Sequence, residues 1–144
     1  MSIEKRSLVA DGFYRSGQPT PDEIRAFAAE GGRTLIALNA DGRLSEGEQA
    51  VTEAAGLNYI YVPLPGWLPP KTSDMQRILG CVANPALRPV WCKCYHGEDR
   101  TGTVVACYRI DHGMSADDAI TEAKAHHMNW ISYPMRWFIK RWKK

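Results

Sequence analysis

Pro89-Val90-Trp91-Cys92-Lys93-Cys94-Tyr95-His96-Gly97-Glu98-Asp99-Arg100-Thr101-Gly102-Thr103 is the stretch whose reading decides the fold. Its front, Pro89 to Cys92, is a short apolar run suited to a buried strand, and Thr101 to Ile110 suits a helix. Between them lies a Gly-containing loop with a thiol at Cys94 and a guanidinium six positions later at Arg100. Backbone N–H groups at a helix start are unsatisfied and carry the positive end of the dipole, so this loop should hold an anion. The same field favours the thiolate of Cys94, which, unlike the thiol, is a nucleophile. The planar fork of Arg100 can grip two oxygens of a tetrahedral group, which Lys could not copy. Thr101 can offer its hydroxyl to the sulfur when it leaves. The stretch predicts a cradle for a phosphate dianion and calls for no metal or cofactor.

The pattern Cys94-x-x-Gly97-x-x-Arg100-Thr101-Gly102 resembles the Cys-x5-Arg signature of the cysteine-dependent protein tyrosine phosphatase superfamily. Phe13-Tyr14-Arg15-Ser16-Gly17-Gln18-Pro19 upstream and Val104-Val105-Ala106-Cys107-Tyr108-Arg109-Ile110 downstream look like the small bacterial dual-specificity-type phosphatases. The resemblance runs from about Phe13 to about Trp130. One position departs from it. That family usually has His directly before the nucleophile, where it supports the loop; here stands Lys93, which would still supply positive charge near the sulfur but not the same hydrogen bonds.

A chain of 144 residues, 44% hydrophobic and 24% charged, fits one soluble globular domain over residues 1–144, and a net charge of +2 is too small to point to nucleic acid. The basic residues Arg136, Lys140, Arg141, Lys143 and Lys144 read as a solvated terminal helix. The cysteines Cys81, Cys92, Cys94 and Cys107 lack the paired spacings of a zinc site. Cys92 and Cys94 share one face of an extended strand at a spacing that strains a disulfide, while Cys81 and Cys107 fall in apolar helical patterns as core thiols. A working thiolate needs a reducing compartment, so the cytoplasm is expected, or the periplasm if a leader has been removed.

In chain order, Leu8-Val9 and Phe13 to Ser16 flank Asp11-Gly12 and predict a hairpin at the sheet edge. Thr20-Pro21-Asp22-Glu23 carries the marks of a capped helix start, which Gly31-Gly32 stops. Arg33 to Leu38 predicts a buried parallel strand, Asn39 to Gly42 a loop, Ser45 to Ala55 a helix and Leu57 to Val62 the next strand. Pro63 to Pro70 is too proline-rich for regular structure, and a helix follows to about Ala83, which Ser73 or Asp74 could simply cap. Helices from Ser115 to about His126 and around Met135, Phe138 and Trp142 complete the chain. The expected fold is α/β: a three-layer single domain, tyrosine-phosphatase-like, with a mostly parallel central sheet of about five strands between helices and the Cys94 loop at the carboxyl edge.

The resemblance implies attack by Cys94 on phosphorus, a cysteinyl-phosphate, and a carboxylic acid that protonates the leaving oxygen. Two candidates for that acid stand open. Asp74 is the nearest carboxylate upstream, since the proline stretch has none; Asp99 precedes Arg100 as in the Asp-Arg-Thr of myotubularin-like and Sac-like lipid phosphatases, or simply orients its neighbours. Tyr95, His96 and Gly97 should border the substrate, Glu98 should face solvent, and Lys71 and Trp67 could set the opposite rim. The expected substrate is a phosphorylated protein (phosphotyrosine, phosphoserine or phosphothreonine) or a small phosphorylated molecule such as an inositol phosphate, for an enzyme expected to be monomeric, with no nucleic-acid or membrane partner. A sulfur-transferring or arsenate-reducing enzyme and a phosphate-binding module without turnover are the rival readings.

Overall fold

The strand expected before the nucleophile spans Val90–Lys93 (β5) and is buried at all four positions. The computed structural model describes residues 6–39, 42–65, 68–95, 99–125 and 133–142. In it β5 is the middle strand of five, flanked by β2 (Phe13–Ser16) and β3 (Thr34–Ala37), with β1 (Ser7–Ala10) and β4 (Asn58–Tyr61) at the edges. β5 runs parallel to both neighbours, with Arg15 and Ile36 opposite Cys92 and Ser16 and Ala37 opposite Lys93. β4 is parallel to β3, and only β1 is antiparallel, joined to β2 through the Asp11-Gly12 turn with Gly12 at a φ of 77°. A run such as Leu35-Ile36-Ala37, fully buried, follows from helices covering both faces of a parallel sheet.

Six helices supply that cover: α1 (Pro21–Ala29), α2 (Gly42–Ala54), α3 (Thr72–Ala83), α4 (Asp99–Asp111), α5 (Ala116–Ala125) and α6 (Tyr133–Arg141). On one face α1 and α2 pack Ile24, Phe27 and Val51 against Leu35, Leu57 and Trp91. On the other, α3, α4 and α6 pack Met75, Ile78, Val104, Cys107 and Phe138 against Phe13, Ile36 and Cys92. α5 lies outside α4, joined through Ala106, Ala119, Ile120 and Ile139. These are the expected three layers.

Local signals explain most boundaries. Thr20 caps α1 as expected: its hydroxyl accepts from the Glu23 N–H at 3.1 Å and its own N–H donates to the Glu23 carboxylate at 2.6 Å. Three starts differ from expectation. α2 begins at Gly42 rather than Ser45, and α4 at Asp99 rather than Thr101. α3 begins at Thr72 with Lys71 as an extended N-cap that makes no side-chain cap bond, so neither Ser73 nor Asp74 caps it; both lie in its first turn. The physical reason is Pro69-Pro70, which keeps the chain extended up to Lys71 and lets the helix start immediately afterwards. No helix among the described residues is long and apolar enough to cross a membrane.

Candidate active site

Four parallel strands end at one edge, and their outgoing loops are stitched together there by backbone bonds. Leu38 N–H donates to the Lys93 carbonyl at 2.9 Å, Leu64 N–H to the Leu38 carbonyl at 2.9 Å, and Gln18 N–H to the Tyr95 carbonyl at 2.9 Å. Cys94 leaves β5 at this point. It is only 2% exposed and belongs to the same core cluster as Cys92, two residues before it. None of the four cysteines is in a disulfide; Cys92 and Cys107 are buried as expected, whereas Cys81 is only half-buried. Burial pushes the Cys92 and Cys107 thiols far up, which makes both inert as nucleophiles.

Arg100 stands in the first turn of α4, where the cradle reading requires it. Its Nε donates to the Leu64 carbonyl at 2.8 Å, and its Nη nitrogens have no partner among the described residues. The guanidinium is thereby tied to the root of the proline loop through Nε. Thr101, fully buried, has a hydroxyl with no partner among the described residues. Tyr95 is 57% exposed and takes a rim position. Asp99 opens α4, one residue ahead of Arg100.

Asp74 is half-buried on α3 and lines, with Tyr61, Pro65, Leu68, Lys71 and Arg77, a cavity of about 470 Å³ on the proline-loop side. Neither Cys94 nor Arg100 lines that cavity. Lys71 is exposed. The expected site residues Trp67, His96, Gly97 and Glu98 lie outside the described residues, as do His126 and Trp130. Among the described residues no cluster of His, Cys, Asp and Glu could hold a metal ion.

Lys93 still places a positive charge within electrostatic reach of Cys94, as expected, but its ammonium is bonded to other partners. Side chains alternate along a strand, so Lys93 shares the face of Trp91, away from Cys94. It is fully buried and ion-paired with Glu48 of α2 at 2.9 Å, with further bonds to Asn39 Oδ1 at 2.6 Å and Gln18 Oε1 at 2.7 Å. Burial pushes the Lys93 ammonium below its ordinary value, while the Glu48 charge and hydrogen bonds oppose that shift. The cation that does share the face of the thiols is Arg15, which lies opposite Cys92 in the sheet and is 4% exposed. Burial lowers its proton affinity too, opposed by Cys92 and Cys94 in their ionised forms and by Glu122. The next residue, Ser16, accepts from the buried Trp91 indole N–H at 2.7 Å. Sequence reading used Arg15 only as part of a motif and did not find Glu48 or Asn39, because nothing local marks them.

Over residues 3–139 the chain matches a family model described as DSP-PTPase phosphatase fused to NAD+ kinase. No curated protein sequence matches it. The fold is similar to that of the core catalytic domain of the PP-IP phosphatase SIW14 from S. cerevisiae in complex with citrate: TM-score 0.86, 21% identity, 99% of this chain and 88% of that one. Tk-PTP in its active form superposes with a TM-score of 0.79 at 18% identity, over 94% of this chain and 92% of that one. A cysteine-to-serine variant of P. aeruginosa TpbA in complex with pTyr gives 0.76 at 18%, over 95% and 83% respectively. At such identities these likenesses establish the fold.

Proposed function

Since the chain belongs to the DSP-PTPase phosphatase family described as fused to NAD+ kinase, and is thus a cysteine-dependent phosphatase, we propose that it hydrolyses phosphomonoesters through a cysteinyl-phosphate on Cys94. One observation carries this most directly: Arg100 is anchored through Nε on the Leu64 carbonyl, with its two outer nitrogens unbonded to the other described residues, six residues beyond a buried thiol at the carboxyl edge of the sheet.

The substrate phosphoryl oxygens rest on the amides between Cys94 and Arg100 and on the Arg100 fork. The Cys94 sulfur attacks phosphorus in line; the S–P bond forms, the ester P–O bond breaks, and the leaving oxygen takes a proton from a carboxylic acid. Water then attacks the phosphocysteine, the carboxylate receives its proton, and the sulfur leaves as thiolate with the Thr101 hydroxyl at hand. The bridging oxygens carry little bond order in such a transition state, so positioning and charge stabilisation dominate. Asp74 and Asp99 are the two candidates for the acid. In this reading Tyr95, His96 and Gly97 border the substrate, Glu98 faces solvent, and Lys71 and Trp67 are the opposite rim.

The substrate is a phosphorylated protein side chain or a small phosphorylated molecule. The pairing of Lys71 and Arg77 on one cavity beside the proline loop favours a polyanion, such as an inositol polyphosphate, as the second reading. A phosphate-release screen over phosphopeptides, nucleotides and inositol phosphates, with Cys94→Ser as control, tests both. Vanadate-insensitive turnover would favour the sulfur-transfer or arsenate-reduction reading, and a trapped phosphocysteine without turnover would leave only a binding module.

A further inference from the structure

Lys93 is an unusual occupant for the strand that ends at a nucleophile: a fully buried cation, on the face opposite the thiol, with every proton directed at an acceptor. Its Nζ lies 2.6 Å from Asn39 Oδ1, 2.7 Å from Gln18 Oε1, and 2.9 and 3.0 Å from the two Glu48 oxygens. Glu48 also accepts from the Tyr59 hydroxyl at 2.9 Å and from Gln18 Nε2 at 2.8 Å. Five segments of chain therefore meet on one ion pair: the loop after β2, the end of β3, α2, β4 and β5.

Gln18 is the residue that connects this cluster to the site. Its amide oxygen accepts a hydrogen bond from Lys93, its amide nitrogen donates to Glu48, and its backbone N–H donates to the carbonyl of Tyr95 at 2.9 Å. Lys93 and Tyr95 are the two neighbours of Cys94. Gln18 thus touches both neighbours of the nucleophile, the Lys93 ammonium through its side chain and the Tyr95 carbonyl through its backbone N–H, while the Lys93 carbonyl is fixed by the Leu38 N–H at 2.9 Å. A buried ion pair is a poor source of stability, because its desolvation offsets its attraction and an apolar pair of like volume often does as well. What it supplies is direction, with charge-assisted bonds of defined geometry.

We infer that Lys93, Glu48 and Gln18 are positioning residues: a buried clamp that fixes the peptides flanking Cys94 and so aims its sulfur and the first loop amides at the phosphate. The assignment rests on the cysteinyl-phosphate reading above. Displacing a nucleophile by a fraction of an ångström lowers turnover without removing the fold, so the clamp should govern oxyanion affinity and rate beyond its effect on stability.

The test uses Gln18→Leu, which keeps the ion pair and the backbone N–H, and Lys93→Met alone and combined with Glu48→Gln, which removes the charges together. Each is measured for kcat and KM on 4-nitrophenyl phosphate, for orthovanadate affinity by calorimetry, and for thermal midpoint, with activity referred to folded protein. Gln18→Leu should lower kcat and weaken vanadate binding by at least about tenfold each, with KM moving less than kcat. The double variant should regain most of the thermal midpoint lost in Lys93→Met while its kcat and vanadate affinity stay at least about tenfold down. Vanadate affinity and kcat within twofold of wild type in Gln18→Leu, or recovery of both together with stability in the double variant, would overturn the positioning role and leave the phosphatase reading intact. A wild-type protein that neither binds vanadate nor releases phosphate from any ester would overturn both.

Discussion

Arg100→Lys separates a fork from a point charge at the centre of the proposed chemistry. The guanidinium holds the buried Leu64 segment through Nε at 2.8 Å, and Leu64 is itself tied to Leu38 at 2.9 Å, so the proline loop and the loop after β3 share this anchor. One ammonium cannot hold that carbonyl and also reach two phosphoryl oxygens. A charge-assisted hydrogen bond contributes roughly 1.5–3 kcal/mol. Losing one of two such contacts in the transition state should lower kcat/KM by about 10- to 150-fold, at 1.36 kcal/mol per factor of ten. Arg100→Met, which removes both, should lower it by about 10² to 10⁴ on the same scale. Steady-state kinetics on an aryl phosphate and competition by vanadate give both numbers, and melting curves report the loss of the Leu64 anchor separately. An Arg100→Lys enzyme with kcat/KM and vanadate inhibition unchanged would refute the bidentate grip and with it the proposed cradle.

The general acid is identified by comparing Asp74→Asn and Asp99→Asn on alkyl and 4-nitrophenyl phosphates: the true acid should matter at least about tenfold more for the poor leaving group, and equal effects on both esters would remove a residue from that role. Gly32→Ala would place a Cβ 2.4–2.5 Å from ring atoms of Phe27, which is edge-packed on Tyr14 at 5.9 Å and on Trp91 at 5.1 Å and has nowhere to move. Overpacking of this kind costs about 1–3 kcal/mol, so calorimetry should show Tm falling by roughly 3–10 °C, and an unchanged Tm would contradict this packing. The buried thiols give a signed alkaline response. Folding raises Cys92 and Cys107 above the ordinary thiol value of 9.0, so their contribution is complete below pH 9 and is lost as pH rises beyond it, because the unfolded chain ionises first. Urea midpoints from pH 8 to pH 10.5 should decline less steeply in Cys92→Ala/Cys107→Ala than in wild type, by up to about 1.4 kcal/mol per pH unit and thiol, and parallel slopes would count against it.

What could be read from the chain was what neighbours in sequence decide. Asp11-Gly12 makes its turn because Gly12 accepts a positive φ, Thr20 and Glu23 cap α1 within one turn, and the continuous apolar run at Leu35 requires burial on both faces. The start of α3 was misplaced because Ser and Asp signal caps only when the backbone is still extended at them, and Pro69-Pro70 ends that state at Lys71.

By itself, then, the amino-acid order determined the strand that leads to Cys94 and the helix that carries Arg100 and Thr101. Only the tertiary structure decided what Lys93 does. Its partners Glu48, Asn39 and Gln18 are 45, 54 and 75 residues away, and the alternation of the strand sends the ammonium to them. A charge without water must find its counter-charge wherever the fold brings one, and no local pattern announces where that will be.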